Sequence, residues 1–472
     1  MFRRWIVPLL LILAAGAFGA WAIAGRGKGP EPERPGRGKE GEPAPPAAPI
    51  PDRGPHFSVL FGGELSGRLW IPPCSQFRQG GLARLGTLVR QMTASARAPM
   101  LLDTGDLAGA PGEAGVPEFQ AGIAALTDMG LAVTAVGEKD LLLGLDRWRA
   151  EKNEHAVGTA VLCANLRDDR GVPLLPAVAH LAAGKKKVLV AAILSPSFEP
   201  ELRAAGVPVR LSPPVEAVRE ALSAAGKADY VILLSHSPVE ESRALLRAVP
   251  ALDLVLTAHA GPLPWMEPEV VDGRLLLAPG TGWQFVCAAA YSDQGEGRKP
   301  ELIDNTNRAV GWSLEPSGPV QFLLDQTLLE VRLPGRGEAV LRSAAAREPA
   351  GSPSFTGPEA CASCHPAAHA KWREDPHSRS MEKVRAKAFH AVGQCLAYHA
   401  TAPGRRGGHA APGDSQAAVA CESCHGPGGE HAAQDGRAPL ADAKASCARC
   451  HVPEMSPGFR FEDAWPKIVH GR

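Results

Sequence analysis

The sequence predicts an α/β fold: a layered sandwich over residues 56–335, followed by a small, mostly helical or irregular domain over residues 354–472. Short apolar, β-branched runs alternate with amphipathic helical stretches through the middle of the chain. The last 120 residues hold only twelve Leu, Ile, Val or Phe. The same stretch carries ten of the fifteen histidines and seven of the ten cysteines. The alternation in the middle of the chain predicts a core of aliphatic side chains. The scarcity of aliphatic residues and the concentration of His and Cys indicate that the last 120 residues are organised differently.

The first 24 residues predict export. Arg3 and Arg4 precede the apolar run WIVPLLLILAAGAFGAWAIA, which is long enough to cross a bilayer as a helix. We favour an uncleaved anchor; the alternative is a cleaved signal peptide, because small residues near Ala22 suit a signal peptidase. Residues 25–55 are rich in Pro, Gly and charge and predict a tether, and residues 336–353 predict a second linker.

In the middle domain, strands are predicted where apolar runs end in polar loops. The predicted strands are 57–62, 100–105, 132–137, 160–166, 187–194, 230–236, 252–259, 275–279 and 284–292, and the predicted helices are 81–97, 117–129 and 214–226. Such folds place their sites in loops at the carboxyl ends of strands. Polar residues follow the strands there: Asp103, Asp106, Glu138, Asp140, His236 and His259. We expect Asp106, Glu138, His236 and His259 to bind one divalent metal ion, either Mn, Zn or Fe.

The order of these residues resembles the calcineurin-like metallophosphoesterases, specifically their 5′-nucleotidase branch. Asp106 and His236 match that pattern, whereas Ser66 and Gly261 stand where it has two metal-binding histidines. Lys139 stands where it has the catalytic His. The resemblance implies a two-metal hydrolase, and such hydrolysis needs two ions ~3.5–4 Å apart. Because ligands for only one ion remain, we expect a retained scaffold without catalytic residues, in which Lys139 pairs with carboxylates.

Four pentads with the spacing of c-type haem attachment lie in the C-terminal region. Three read Cys-x-x-Cys-His in full, and the fourth has Tyr398 in place of its second Cys. Two thiols three positions apart reach the two vinyl groups of one haem, and the adjacent His reaches its iron. The attachment residues are Cys361, Cys364, His365, Cys395, His399, Cys421, Cys424, His425, Cys447, Cys450 and His451. We expect three haem c groups, and a fourth that is either held by Cys395 alone, which we favour, or absent.

Haem also explains the composition of this region. Zinc is the alternative ligand of paired Cys-x-x-Cys motifs, but a zinc site needs no His directly after each pair. Chains with less than roughly 20% Leu, Ile, Val and Phe struggle to build a core. Haem macrocycles are flat and apolar and would replace that core, so we expect the region to be unfolded without them.

The order of the pentads, with Trp372-x4-His377 and Trp465-x-x-Ile-x-His470, resembles the tetrahaem cytochrome c family that accepts electrons from hydroxylamine oxidation. The resemblance covers roughly residues 355–472. It implies three haems with two His ligands each and a five-coordinate second haem, with His377, His431 and His470 as distal ligands. Which distal His serves which haem does not follow from the sequence. His369 is expected at the surface.

Two functions of different classes follow. The first is an exported multihaem electron carrier that exchanges electrons with redox partner proteins and uses its α/β domain for docking or positioning. The alternative is a metal-dependent phosphoester or nucleotide hydrolase with a cytochrome appendage. A third, redox catalysis on a small nitrogen compound, requires an open second haem. The 50 basic and 50 acidic residues give no support for nucleic-acid binding. Since haem is attached outside the cytoplasmic membrane, we expect a periplasmic location, anchored to the inner membrane by the N-terminal helix.

Overall fold

The computed structural model describes residues 56–71, 79–295, 297–332, 341–342, 345, 351–386, 393–409, 416–451, 456 and 458–470. The expected export segment 1–24, the tether 25–55 and most of the linker 336–353 lie outside the described residues. Among the helices of the described ranges, none is both long and apolar enough to span a bilayer.

Strands and helices alternate through the first described region. The strands, numbered along the chain, are β1 (His56–Gly62), β2 (Pro99–Asp103), β3 (Leu131–Ala135), β4 (Ala160–Leu162), β5 (Leu166–Asp168), β6 (Val178–Ala183), β7 (Lys186–Leu194), β8 (Val209–Leu211), β9 (Tyr230–His236), β10 (Leu254–Thr257), β11 (Glu269–Val271), β12 (Arg274–Leu277), β13 (Phe285–Ser292) and β14 (Glu301–Ala309). The helices are α1 (Leu82–Ser95), α2 (Val116–Asp128), α3 (Glu138–Leu141), α4 (Leu145–His155), α5 (Glu199–Ala204), α6 (Pro214–Ala225), α7 (Val239–Ala248) and α8 (Gly318–Arg332).

Two six-stranded sheets form the centre of the domain. The first has the order β14-β13-β1-β2-β3-β4 and the second β11-β12-β10-β9-β7-β6, while β5 and β8 make a separate pair. In the first sheet β1, β2, β3 and β4 are parallel, and β13 is antiparallel to both β1 and β14. In the second sheet β12, β10, β9 and β7 are parallel, and the edge strands β11 and β6 are antiparallel to their neighbours. The layered α/β prediction is confirmed, because helices also cover the outer faces.

Side-chain alternation explains the layers. Along β1, Phe57, Val59 and Phe61 point into an apolar layer that also contains Ile232 and Leu234 from the second sheet. Residues of opposite parity in the same sheets join separate clusters, one with α1 and α2 and the other with α6 and α7. Because successive side chains point to opposite faces, each strand contributes to two cores. Strands buried on both faces read as continuous apolar runs, which is why the sequence located them.

The C-terminal region has short helices and little apolar core. Its helices are Pro358–Cys364, Pro366–Glu374, Ser380–Ala386, Gly393–His399, Cys421–His425, Gly429–Ala433, Cys447–Cys450 and Phe461–Ile468. The hydrophobic cluster found among its described residues contains only Leu341, Met381, Val384, Leu396 and Ala400. The predicted mostly helical or irregular character is confirmed. The predicted replacement of the missing core by haem stays a prediction.

Candidate functional site

Four of the polar residues at the strand ends lie together in the α/β domain. Asp106 follows β2, Glu138 begins α3 after β3, His236 ends β9 and His259 follows β10. One potential ligand atom from each lies within 4.8 Å of the others. The parallel strands explain the convergence, because their carboxyl ends meet at one edge. The arrangement would suit one divalent cation, and metal binding there stays a prediction.

The ring of His236 is fixed by two hydrogen bonds. Its Nδ1 donates to the carbonyl oxygen of Thr104 at 2.7 Å, and its Nε2 lies 2.8 Å from a carboxylate oxygen of Glu138. The His259 Nε2 approaches the same nitrogen at 2.9 Å. Burial favours the neutral ring, but Asp106 and Glu138 outweigh it and raise the pKa of His236 to about 10. Metal-binding histidines commonly donate one ring N–H to a fixed acceptor and bind the metal with the other nitrogen. In His236 the nitrogen left for a metal is Nε2, and a proton now occupies that position between Nε2 and Glu138.

Lys139 places a positive charge on the other side of the cluster. Its ammonium contacts the Asp106 carboxylate, lies 3.5 Å from the Glu138 carboxylate and 3.4 Å from the Ser66 hydroxyl. Burial lowers the pKa of Lys139, but the charges of Asp106 and Glu138 outweigh burial and hold that pKa above its usual range. The expected ion pair between Lys139 and the carboxylates is confirmed. A second cation would have to displace this ammonium.

Two of the six polar residues at the strand ends are part of the scaffold. The Asp140 carboxylate accepts backbone N–H groups of Asp106, Leu107, Ala108 and Gly137 at 2.8–3.1 Å. Burial and, secondarily, the charge of Asp106 raise the pKa of Asp140 to about 7. Asp140 therefore shapes the loop that carries Asp106.

Asp103 supports the same loop from below. Its carboxylate accepts hydrogen bonds from Gly105 N–H at 2.9 Å, Thr134 Oγ1 at 2.6 Å and Trp283 Nε1 at 2.7 Å. Burial raises the pKa of Asp103 to about 6 despite these hydrogen bonds. Since each of these contacts is to the scaffold, Asp103 is a structural residue, and it lies outside the predicted ligand set.

Strained backbone is concentrated around the cluster. Five residues with left-handed φ values lie on these loops: Glu64 at 50°, Ser66 at 48°, Asp106 at 61°, His259 at 52° and Trp283 at 48°. Such conformations cost of order 1–3 kcal/mol each and gather at functional sites. Glu64 remains part of the arrangement, because its carboxylate accepts the His259 backbone N–H at 3.2 Å. Glu64 and Ser66 thus share the left-handed loop geometry found around the cluster.

In the C-terminal region, each pentad occupies about one helical turn. Cys361 and Cys364 lie on Pro358–Cys364, and the corresponding pairs lie on Cys421–His425 and Cys447–Cys450. Residues three apart on a helix share a face, so both thiols of a pentad point the same way. The seven pentad cysteines are free thiols. They are therefore available for thioether bonds.

The pentad histidines are paired with the three expected distal histidines. The ring centroids of His365 and His431 lie 6.3 Å apart, those of His377 and His451 5.9 Å, and those of His425 and His470 5.7 Å. An ion bound by two imidazole nitrogens at about 2 Å each separates the ring centroids by roughly 6 Å. The rings are thus spaced to bind one iron per pair. The sequence identified the members of these pairs but not their pairing.

Hydrogen bonds fix which nitrogen each ring would offer. Nδ1 of His377 lies 2.6 Å from the Asp375 carboxylate, and Nδ1 of His431 lies 2.6 Å from the Ala438 carbonyl oxygen. Nδ1 of His399 lies 2.9 Å from the Ser380 carbonyl oxygen. Donation from Nδ1 leaves Nε2 as the ligand, the usual arrangement around bound metals. Burial and the neighbouring His470 lower the pKa of His425, which favours its neutral, ligating form.

Glu422, inside the pentad Cys421–His425, is a site residue that sequence reasoning missed. It is 4% exposed, and its carboxylate accepts N–H groups of Thr356, Gly357 and Gly428 and the Gln416 amide at 2.6–3.1 Å. These bonds join the segment before the pentad Cys361–His365 to the pentad Cys421–His425. The Cys361 and Cys421 thiols also hydrogen-bond, which lowers the pKa of Cys361. The only sequence signal is an acidic residue between two pentad cysteines.

One minor expectation is wrong. His369, expected at the surface, is only partly exposed, and its Nε2 is buried without a hydrogen-bond partner among the described residues. Its ring packs against Trp372 with centroids 5.5 Å apart. The helix Pro366–Glu374 places His369 against Trp372. The position of His369, four residues after His365, did not reveal this contact.

Comparison with known proteins confirms the sequence-based resemblance at the C-terminus. Residues 360–426 match the family model described as cytochrome c554 and c-prime. Cytochrome c-554 of Nitrosomonas europaea is 28% identical over 130 residues, which are 23% of this chain and 54% of that protein. The chain therefore spans about half the length of this curated relative. Haem c is the cofactor class that this family match implies.

The solved structures similar to this chain match its first domain. They include sulfate thiohydrolase SoxB of Thermus thermophilus (TM-score 0.47, 18% identity, 59% of this chain and 61% of that one). Calcineurin-like phosphoesterase YfkN of Bacillus subtilis has a TM-score of 0.49 and 15% identity, over 58% of this chain and 96% of that one. A 5′-nucleotidase precursor of Thermus thermophilus has a TM-score of 0.49 and 18% identity, over 58% of this chain and 59% of that one. The second and third are of the protein classes named by the sequence resemblance, and similarity at this level concerns the fold alone.

Proposed function

We propose that this chain transfers electrons through haem c groups bound to its C-terminal region. The observation that carries the proposal is the spacing of three imidazole pairs, at 5.7–6.3 Å between centroids, beside three pairs of free thiols. A haem iron with two imidazole ligands has no open position for substrate, and it cycles between Fe(III) and Fe(II). Such a site carries electrons and does not bind substrates.

The residues of the chain have separate tasks in this proposal. Thiols of the pentads tether the haems, and His365, His425 and His451 bind from one side. His431, His470 and His377, in that order, bind from the other side. The carbonyl and carboxylate acceptors at Nδ1 hold the rings in place before a redox partner arrives, which limits rearrangement on electron transfer. Contact between the Cys361 and Cys421 thiols brings two pentads together, which supports transfer between haems.

The fourth pentad would hold a haem by one thioether. Cys395 and His399 lie on the helix Gly393–His399, and the His399 ring is anchored at Nδ1 like those of His377 and His431. Tyr398 cannot form a thioether. We propose a singly tethered fourth haem, and the spin state of this haem would decide whether small ligands reach its iron.

Counting covalent haem tests the function. The full-length chain, matured in an exporting bacterial host, should carry three doubly tethered haems and one singly tethered haem by intact-mass analysis. Its ferric spectrum should be dominated by low-spin iron. A Cys447→Ala, Cys450→Ala double variant is the matched control and should lose one haem. A folded but colourless wild-type protein would contradict the proposal.

For the α/β domain we propose a docking or positioning role, with one divalent cation at Asp106, Glu138, His236 and His259. The supporting observations are the converging ligand atoms and the Lys139 ammonium beside them. Phosphoester hydrolysis is the second candidate, and the strained loops around the cluster favour it. Metal analysis separates the two. Two equivalents of Mn or Zn with turnover of a chromogenic phosphoester would establish the hydrolase, whereas one equivalent without turnover supports the scaffold.

We also propose that the chain works outside the cytoplasm with redox partner proteins. The haem c-binding region supports this location, because haem is attached to such pentads outside the cytoplasmic membrane. The apolar segment at residues 5–24 would tether the protein to the inner membrane, with the partners reached in the periplasm. Fractionation of cells expressing the full chain tests it: haem-stained protein should be recovered with membranes and be accessible to protease added to spheroplasts.

A further inference from the structure

We infer that Asp375 is a positioning residue that lowers the reduction potential of the haem bound between His377 and His451. The inference rests on the proposed haem binding and adds a specific electronic role for one carboxylate. It concerns the group that accepts the hydrogen bond from Nδ1 of the distal ring. This group is a carboxylate for His377 and a backbone carbonyl oxygen for His431.

Asp375 holds the His377 ring through a very local arrangement. One carboxylate oxygen accepts the His377 backbone N–H at 2.9 Å and lies 2.6 Å from its ring Nδ1. The residue caps the short turn Pro376–Arg379, and Pro376 restricts the backbone between the two partners. The Asp375 side chain is 15% exposed. The ring therefore has one preferred orientation, with Nε2 directed away from Asp375.

The carboxylate is charged, unlike the acceptor of a second distal ring. His431 donates from Nδ1 to the Ala438 carbonyl oxygen at 2.6 Å, so the two hydrogen bonds are equal in length. What differs is the formal charge of the acceptor. A carboxylate that accepts the Nδ1–H makes the imidazole a more basic ligand. It also places negative charge near the iron, which stabilises Fe(III) over Fe(II) because opposite charges attract.

The substitution that isolates this effect is Asp375→Asn. Asparagine keeps an oxygen that can accept both the backbone and the ring N–H, so the turn and the ring orientation are maintained. Only the charge is removed. Glu374→Gln is the matched control. It removes the same charge from the neighbouring residue, whose side chain is exposed and caps no turn.

The test is a redox titration of the full-length, haem-loaded protein at constant pH, followed by absorption and electron paramagnetic resonance. Asp375→Asn should move one component of the titration to higher potential and change one low-spin ferric signal, with the haem count unchanged. Glu374→Gln should leave both close to wild type. Asp375→Ala, which also removes the cap, should shift the same component and broaden its signal.

Two outcomes would overturn the inference. In the first, Asp375→Asn leaves all components in place while haem count and spectra match wild type. In the second, Glu374→Gln produces an equal shift, so that only net charge matters. Failure of the proposed function is a different result, because a wild-type protein without covalent haem has no component to titrate.

Discussion

Asp106 divides its carboxylate between two cations of the chain: one oxygen contacts the Lys139 ammonium, and the other lies 3.6 Å from Nε2 of His236. The second position is one that a metal ion could take, because histidine can release its proton to a competing cation. The position of the Lys139 ammonium cannot be vacated in the same way, because Lys139 is part of the chain and its pKa is held above the usual range, so it keeps its proton. We therefore expect the cluster to bind a single exchangeable cation.

Replacing Lys139 with Met should change the metal stoichiometry. Wild-type protein, stripped and then equilibrated with Mn²⁺, should bind one ion per chain. Lys139→Met removes the charge but keeps the length of the side chain, and it leaves Glu64, Asp106 and Glu138 with one positive charge less. We expect a second, weaker Mn²⁺ to bind, measured by calorimetry and elemental analysis. The exposed Lys185→Met is the control, and a stoichiometry of one in both variants would refute the interpretation.

The stability of the α/β domain should depend on pH through Asp103. Burial raises its pKa from 3.8 to about 6, so between these values the folded state binds more protons than the unfolded state. The contribution of Asp103 to stability therefore falls as pH rises from about 4 to 6 and stays low above 6. A shift of this size corresponds to about 3 kcal/mol.

Asp103→Asn tests this dependence. The amide should add a constant cost from its altered hydrogen bonds to Gly105 and Thr134, but it cannot titrate. The difference in free energy of unfolding between wild type and variant, measured in urea at each pH, should change by about 2 kcal/mol between pH 4 and 6, which is most of the total of about 3 kcal/mol. A difference that is flat across this range would show that Asp103 keeps an ordinary pKa.

Glu422→Gln should impair haem loading at two pentads. The substitution turns one acceptor oxygen into a donor facing N–H groups that Glu422 now satisfies, at a cost of about 3 kcal/mol. Because these N–H groups belong to the chain before Cys361 and after Cys424, peptide mass spectrometry should find reduced haem occupancy at both pentads. Glu430→Gln, a neighbour that bonds Gln434 at the surface, should load normally. Equal loading of the two variants would show that Glu422 acts only locally.

Restoring the fourth pentad should alter the attachment of its haem. In Tyr398→Cys, a second thioether becomes available on the helix Gly393–His399. The haem count should stay the same, while the pyridine haemochrome spectrum should show one fewer unsaturated vinyl group. Cys395→Ala should remove this haem altogether. If wild type and Cys395→Ala carry equal haem, the fourth pentad is vacant in the native protein.

Burial and periodicity made most strands of the α/β domain predictable. Runs such as those of β7 and β9 are apolar over most of their length because both faces are covered. By contrast, β14 (Glu301–Ala309) was missed, because this edge strand reads as polar residues and pairs only with β13. Helices α4, α7 and α8 were missed as well. In α4 few positions are buried, and one of those is polar, so this helix shows no clear apolar stripe.

The site was predictable as a set of residues but not as an arrangement. Asp103 and Asp106 look alike in Asp-Thr-Gly-Asp, and contacts with the distant Thr134 and Trp283 reveal that Asp103 is a hydrogen-bond acceptor of the scaffold. The distal histidines were expected from the family resemblance, on the motifs that contain them. Their pairing with pentads depends on contacts between segments far apart in the chain, which local sequence does not encode.

The three imidazole pairs also determine how the C-terminal region can mature. They span residues 365–431, 377–451 and 425–470, and each span overlaps the other two. No pair is complete until the chain up to His431 is present, and the last pair needs His470. Closure of the three pairs should therefore come late in maturation, and chains that lack His470 should remain open to proteases.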